Sequence, residues 1–179
     1  DRLTRMIDDL LDASRLQAGA LAMNRSEVAL DDLASRIAQR FRTQTEAHTI
    51  VVDFPVDFPV IIGDDNRLAQ VITNLLSNAI KYSPKGGEIR ITGKVLLSHV
   101  VVCISDQGPG INPGDIPHVF DRFYRASEAT KRTKGAGLGL YLARAVVEAH
   151  GGRIWVDHEP GSGARICFYI PRDFSQKIK

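Results

Sequence analysis

The chain has 179 residues, of which 44% are hydrophobic and 25% are charged, and this composition is typical of one globular domain with a short additional element. Its 23 basic and 21 acidic side chains nearly balance, which gives no chain-wide electrostatic reason to expect nucleic acid or an anionic membrane as a partner. No apolar run approaches the roughly 18 residues of a membrane-spanning helix, and no secretory signal opens the sequence, so we expect a soluble domain.

The first 19 residues show the apolar spacing of a helix that packs on other helices, and Gly19 is suited to end it. One helix with such a stripe is incomplete alone. The pattern therefore favours either the end of a helical bundle or a helix that folds back on the following domain. The stripe consists of Leu3, Met6, Ile7, Leu10, Leu11 and Leu16.

Beyond this segment, strand and helix patterns alternate along the chain. The predicted strands are 21–28, 49–54, 60–63, 88–97, 100–106, 153–157 and 165–170. The predicted helices are 30–41, 65–82 and 141–150. A short turn at Ser98-His99 joins two of the strands into a hairpin. This order predicts an α+β fold, a two-layer sandwich in which about three helices cover one face of a mixed sheet.

The two cysteines, Cys103 and Cys167, each lie within a run of strand-forming residues. They form no C-x-x-C pattern and have no neighbouring histidine at zinc-binding spacing. We therefore predict two buried free thiols, which is typical of a reducing compartment.

The predicted helix 65–82 has a polar face as well as an apolar one. At about 100° per residue, a polar stripe of Arg67, Asn74, Asn78 and Lys81 lies apart from the apolar residues. Asparagine is a poor helix former, so two of them one turn apart need an explanation. The stripe is either an ordinary solvated face or a site where an amide oxygen ligates Mg²⁺ and a lysine neutralises phosphate oxygens.

Asp106 ends a strongly apolar strand and precedes Gly108 and Gly110. Glycine permits positive φ and a close approach of the backbone to a ligand. A carboxylate at such a strand end accepts a hydrogen bond from an exocyclic amine, which selects adenine over guanine. The pattern also fits a tight turn in which the aspartate only caps the backbone.

A second glycine cluster, 135–140, immediately precedes the predicted helix 141–150, where free backbone amides are placed to bind phosphates. It is neither a Walker A loop nor a dinucleotide-binding fingerprint, and taken alone it is more typical of a hinge. About 30 residues, from Gln107 to about Ala136, show no clear periodicity, and a stretch of this length is typical of a functional loop. Its glycines and basic residues, with Arg125 in the aromatic segment 120–125, indicate a mobile lid.

Together and in this order, these segments resemble the ATP-binding domain of sensor histidine kinases, in the GHKL superfamily that includes Hsp90, gyrase B and MutL. The N box, G1 box, F box and G2 box of that domain are matched by 65–83, 106–111, 120–125 and 135–140. The opening helix is similar to the second helix of the family's dimerisation and phosphoacceptor hairpin. The resemblance implies a helical part (1–20), a catalytic domain with a long ATP lid (21–173) and a short tail (174–179).

The resemblance also implies a set of site residues. Asn78 would ligate Mg²⁺ with Asn74 beside it, and Lys81 and Arg125 would contact phosphates, so these four are the implied catalytic residues. Asp106 would bind the adenine amine. The remaining implied nucleotide-binding residues are Tyr82, Gly108, Gly110, Ile111, Gly135, Gly137, Leu138, Gly139 and Leu140.

The implied activity is binding of Mg-ATP and donation of the γ-phosphoryl group to a histidine, for onward transfer to an aspartate of a response regulator. None of the five histidines has the family's phosphoacceptor context, so we expect a fragment that lacks the acceptor helix. The intact protein is expected to form a homodimer through its dimerisation helices, to lie in the cytoplasm, and to reach a membrane only through segments outside this chain. Nucleic acid is not an expected partner.

Two positions depart from the family pattern. Ala136 stands where Thr or Ser is frequent, and Ala164 stands where a hydroxyl residue often supports the adenine pocket. Both departures remove a side-chain contact without removing the motif. His150 is interpreted as a surface or helix-capping residue.

Two other functions stay open from the sequence. One is a nucleotide-binding or interaction scaffold without kinase activity, and the other is a serine kinase of the anti-sigma-factor type. An ATPase of the Hsp90 or gyrase kind is less favoured, because those enzymes place a water-activating glutamate where Asn74 stands.

Overall fold

The computed structural model describes Leu11 and residues 22–125, 136–157 and 163–172. Within these ranges the chain forms seven strands and three helices. In chain order they are β1 (Ser26–Val28), α1 (Leu30–Arg42), β2 (His48–Asp53), β3 (Ile61–Gly63), α2 (Asp65–Tyr82), β4 (Gly87–Val95), β5 (His99–Ser105), α3 (Gly139–Ala149), β6 (Arg153–Val156) and β7 (Arg165–Pro171). The predicted tail, and the predicted opening helix apart from Leu11, lie outside the described residues.

Five strands form one mixed sheet in the order β2-β4-β5-β7-β6. β2 runs parallel to β4, and the other neighbouring strands are antiparallel. β1 and β3 form a separate two-stranded sheet. The predicted α+β sandwich of a mixed sheet and three helices is confirmed. None of the helices in the described ranges has the length and apolarity needed to cross a membrane.

The apolar stripe of α2 packs into the core. Its buried side chains are Leu68, Val71, Ile72, Leu75, Leu76 and Ala79. Full burial of each large apolar side chain contributes about 1.5–3 kcal/mol relative to exposure. Asp64 caps the helix, since its side chain accepts a hydrogen bond from the backbone of Arg67 at 3.1 Å. With one face fixed in the core, the polar stripe is held on another side of α2.

Three element boundaries differ from the prediction by more than one residue. Strand β1 begins at Ser26, five residues after the predicted start at Leu21. The hairpin turn is shifted, because His99 begins β5 and its carbonyl accepts a hydrogen bond from the Leu96 amide at 2.9 Å. Helix α3 begins at Gly139, two residues before the predicted start at Tyr141. The second glycine cluster therefore enters the first turn of α3.

Cys103 and Cys167 form a disulfide, so the prediction of two free thiols is wrong. They lie directly opposite each other on β5 and β7, with Cα atoms 4.1 Å apart. Their sequence separation is 64 residues, and the register of two strands so far apart cannot be read from the spacing of apolar residues. The argument for a reducing compartment from free thiols therefore falls away.

His150 is the C-cap of α3, as predicted, but it is fully buried and is not a surface residue. Its Nδ1 lies 2.7 Å from the Val146 carbonyl, and its Nε2 lies 3.0 Å from the backbone nitrogen of Asp64. The carbonyl accepts and the backbone amide donates, so the ring is neutral with its proton on Nδ1. Burial lowers the pKa of His150 below its usual value of 6.5.

We expect this histidine to make the protein less stable in mild acid. The unfolded chain binds a proton at His150 more readily than the folded chain as pH falls through about 6.5, so the free energy of unfolding should drop between pH 7 and 5.5. Urea unfolding at both pH values measures the drop. His150→Gln, which keeps an acceptor for the Asp64 amide and does not titrate, should lose that part of the drop. An equal drop in both proteins would contradict the assignment.

Candidate functional site

The polar stripe of α2 faces the start of α3. Asn74 lies on α2 and donates a hydrogen bond from Nδ2 to the Gly139 carbonyl at 3.1 Å, which joins the N box to the first residue of α3. Asn78, one turn further on, is half-buried, and its side chain makes no hydrogen bond within the part of the chain that the structure describes. The amide of Asn78 is therefore available to a ligand. Arg67 is engaged elsewhere, since its Nη1 donates to the side-chain oxygen of Gln70 at 3.2 Å.

Lys81 is the last residue of the polar stripe, and its side chain packs on the neighbouring Tyr82 at the C-terminal end of α2. The Lys81 ammonium lies 4.7 Å from the centre of the Tyr82 ring and 3.2 Å from its hydroxyl oxygen. Both side chains are half-buried, so the cation is held over an aromatic face instead of extending freely into solvent.

Asp106 lies immediately after β5 and its side chain is buried, with 6% of the residue exposed. Its Oδ1 accepts hydrogen bonds from the backbone amides of Gly108 at 2.8 Å and Ala164 at 3.3 Å. Its Oδ2 has no hydrogen-bond partner among the described residues. Burial raises the pKa of the Asp106 carboxyl, and the two backbone hydrogen bonds oppose that rise. The geometry leaves one oriented oxygen for a donor outside the protein.

Two glycines allow the backbone to pack tightly around Asp106. Gly108 lies against the Tyr82 carbonyl, and Gly163, at φ +84°, lies against the backbone of Asp106. A side chain at either position would overlap these atoms, so the sequence needs glycine there. The G1 turn is thereby packed on the end of α2.

Ala164 supports Asp106 through its backbone. Its carbonyl accepts a hydrogen bond from the Asp106 amide at 2.9 Å, and its own amide donates to Oδ1 of Asp106. The sequence pattern predicts only a lost side-chain contact at Ala164 and does not predict this backbone pairing. The sequence feature that comes closest to indicating this pairing is Gly163 in the turn before β7, because a glycine there permits the turn to approach the backbone of Asp106.

The F box meets the second glycine cluster. The Phe123 amide donates a hydrogen bond to the Gly137 carbonyl at 3.0 Å, and Gly137 adopts φ +71°. Leu138 is buried, and Phe120 packs in the main core. Arg125 is half-buried at the end of its described range. Gly110 and Ile111 follow Asp106 in the G1 turn, and Leu140 lies in the first turn of α3. Outside the described residues lie Gly135 and the basic residues Lys131, Arg132 and Lys134.

These contacts bring the G1 turn, the F box and the second glycine cluster together around α2, which carries the N box. The G1 turn packs on the C-terminal end of α2, while the start of α3 is bonded to its middle. The F box joins this assembly through Gly137.

Residues 63–173 match the family model described as histidine kinase-, DNA gyrase B-, and HSP90-like ATPase. The chain belongs to this family. The matched range begins just before α2 and continues through β7, so it includes every site segment described above. Membership of this ATPase family agrees with the site geometry, in which the G1 turn with Asp106 and the start of α3 both pack on α2.

Among curated relatives, the histidine kinases are similar over almost the whole chain. The chain is 37% identical to the sensor histidine kinase WalK of Bacillus subtilis, over 96% of the chain and 29% of WalK. It is 36% identical to the adaptive-response sensory kinase SasA of Synechococcus elongatus, over 94% of the chain and 44% of SasA. The chain thus spans less than half of each of these relatives.

Solved histidine kinase structures share the fold. Full-length ShkA in complex with AMPPNP superimposes with a TM-score of 0.84 at 29% identity, over 96% of this chain and 36% of ShkA. The mycobacterial sensor histidine kinase MprB superimposes with a TM-score of 0.71 at 31% identity, over 84% of this chain and 97% of the MprB chain. The resemblance to the ATP-binding domain of sensor histidine kinases is confirmed.

Proposed function

We propose that this chain is the catalytic part of a sensor histidine kinase, which donates the γ-phosphoryl group of ATP to a histidine on a helix outside the chain. The observation that carries the proposal is the buried Asp106 carboxylate, with Oδ1 held by two backbone amides and Oδ2 open. An open carboxylate oxygen accepts a hydrogen bond from the adenine amine, whereas the carbonyl of guanine would face it acceptor to acceptor. The site therefore favours ATP over GTP.

The backbone at the start of α3 binds the phosphates in this proposal. The first amides of a helix have no partners within the helix and carry partial positive charge, which suits an anion. Asn74 holds this helix start in place through its 3.1 Å hydrogen bond to the Gly139 carbonyl. Lys81 and Arg125 supply the positive charge that balances the phosphate oxygens.

Asn78 is the proposed protein ligand of Mg²⁺, since its side-chain amide oxygen is a hard donor and no described residue hydrogen-bonds to it. The described residues contain no group of three or more histidine, cysteine, aspartate or glutamate side chains placed to hold a metal ion. A single amide ligand fits Mg²⁺ that is held mainly by water and substrate phosphates. The bound ion supplies charge neutralisation at the phosphate oxygens.

The chain's own residues then act by orientation and charge. Asp106 fixes the adenine, the start of α3 fixes the phosphates, and the acceptor histidine supplies the nucleophile from another segment. Phosphoryl transfer depends mainly on such positioning and on charge stabilisation. With an amide at Asn74 in place of a carboxylate base, ATP hydrolysis by the chain alone is expected to be slow.

The proposal extends to the surroundings of the domain. The intact protein would be a homodimer through its dimerisation helices and would pass the phosphoryl group to a response regulator. This domain would lie in the cytoplasm, and any membrane attachment would come from other segments. Because buried disulfides are uncommon in a reducing cytoplasm, the redox state of the Cys103–Cys167 pair in cells tests that location.

A transfer assay tests the proposed reaction. An intact protein that contains this chain and its acceptor helix, incubated with γ-labelled ATP and Mg²⁺, should acquire a phosphoryl group that is stable in base and lost in acid, as expected for phosphohistidine. Label that resists acid, as expected for phosphoserine, or no label in a protein that binds ATP, would overturn the proposed kinase activity.

A further inference from the structure

His48, the first residue of β2, is bound through both ring nitrogens. Its Nδ1 lies 2.7 Å from the Thr45 hydroxyl, and its Nε2 lies 2.9 Å from the carbonyl and 3.0 Å from the hydroxyl of Ser83. The Ser83 hydroxyl donates its own proton to the Ala79 carbonyl. The ring must therefore donate from Nε2 to Ser83, and Nδ1 of the neutral ring accepts from Thr45.

Ser83 is the C-cap of α2 and is almost fully buried, so this hydrogen bond fixes the end of the helix. The preceding residue is Tyr82, whose carbonyl lies against Gly108 of the G1 turn. The amide of Gly108 in turn donates to Oδ1 of Asp106 at 2.8 Å. A continuous set of contacts thus runs from the His48 ring, through the end of α2, to the carboxylate.

The same region is fastened at two further points. The Gly87 amide donates to the Ala47 carbonyl at 3.0 Å, next to His48. The Glu88 amide donates to the side-chain oxygen of Gln107 at 3.0 Å, next to Asp106. The beginning of β2, the loop after α2 and the G1 turn therefore pack as one unit, with the His48 ring inside it.

We propose that His48 is a positioning residue for nucleotide recognition, which places Asp106 by holding Ser83 and the Tyr82 carbonyl at the end of α2. It does not touch the nucleotide in this proposal. The inference rests on the proposed role of Asp106 in adenine binding, and it adds a residue outside the four motifs.

Calorimetric titration of ATP into three variants tests the proposal. His48→Ala should weaken ATP binding by about fivefold, and His48→Gln, whose amide can still donate to Ser83, by only about twofold. The control His99→Gln lies at the opposite end of β5 from Asp106 and should bind ATP like the wild type.

The outcomes distinguish the role of His48 from the role of Asp106 in adenine binding. Wild-type ATP affinity in a folded His48→Ala protein would overturn the role of His48. If His48→Ala fails to fold, His48→Leu, which keeps much of the bulk of the ring but cannot donate to Ser83, decides: wild-type ATP affinity in that variant overturns the proposal. ATP binding that survives Asp106→Asn unchanged would instead show that the proposed adenine site is wrong.

Discussion

Asparagine in place of Asp106 is expected to weaken ATP binding by about 10- to 100-fold, the cost of losing a charged hydrogen bond to a buried donor. Two backbone amides donate to Oδ1, so the amide oxygen of asparagine would turn toward them. Its NH₂ group would then face the adenine amine, donor to donor. The same NH₂ group suits the carbonyl of guanine, so the variant should also discriminate less against GTP.

Calorimetry with ATP and GTP measures both effects. Asp53→Asn is the matched control, since Asp53 is an exposed aspartate at the end of β2 that pairs with Arg90. This control should bind ATP like the wild type. Unchanged ATP affinity in a folded Asp106→Asn protein would contradict the assignment of Asp106 to the adenine.

Alanine in place of Asn78 is expected to reduce Mg²⁺-dependent phosphoryl transfer in the intact protein by about 100-fold or more, because it removes the proposed protein ligand from the ion that balances the phosphate charge. ATP affinity should fall by much less, since Asp106 and the start of α3 are unchanged. The Asn78 side chain makes no hydrogen bond to other described residues, so its loss should leave the free energy of unfolding nearly unaffected.

Asn66→Ala provides the control for this substitution. Asn66 lies on the same helix but is exposed in its first turn. Transfer should proceed at the wild-type rate in this variant. A folded Asn78→Ala protein with undiminished transfer would remove Asn78 from the reaction.

Much of the site could be predicted because it depends on local patterns. The period of apolar residues in α2 fixes which side is buried, and therefore fixes the polar stripe that contains Asn74 and Asn78. The apolar strand before Asp106 and the glycines after it likewise predict a carboxylate at a turn. These features need only the spacing of residues within one helix or one loop.

The features that the sequence does not predict depend on contacts between distant parts of the chain. The disulfide requires the β5–β7 register, and the burial of His150 requires the Asp64 amide, 86 residues away, to reach its ring. The link from His48 to Ser83 spans 35 residues and carries no motif. Neither hydrophobic period nor turn chemistry reports such pairings, because they are set by how the layers pack.

Calorimetric titration of ATP and of GTP into the wild-type chain, with Mg²⁺ present, tests the proposed adenine site at Asp106. The proposed site predicts one ATP bound per chain and much weaker binding of GTP, because a single open carboxylate oxygen faces the base. Equal affinity for the two nucleotides, or no binding of either by a folded chain, would contradict the account.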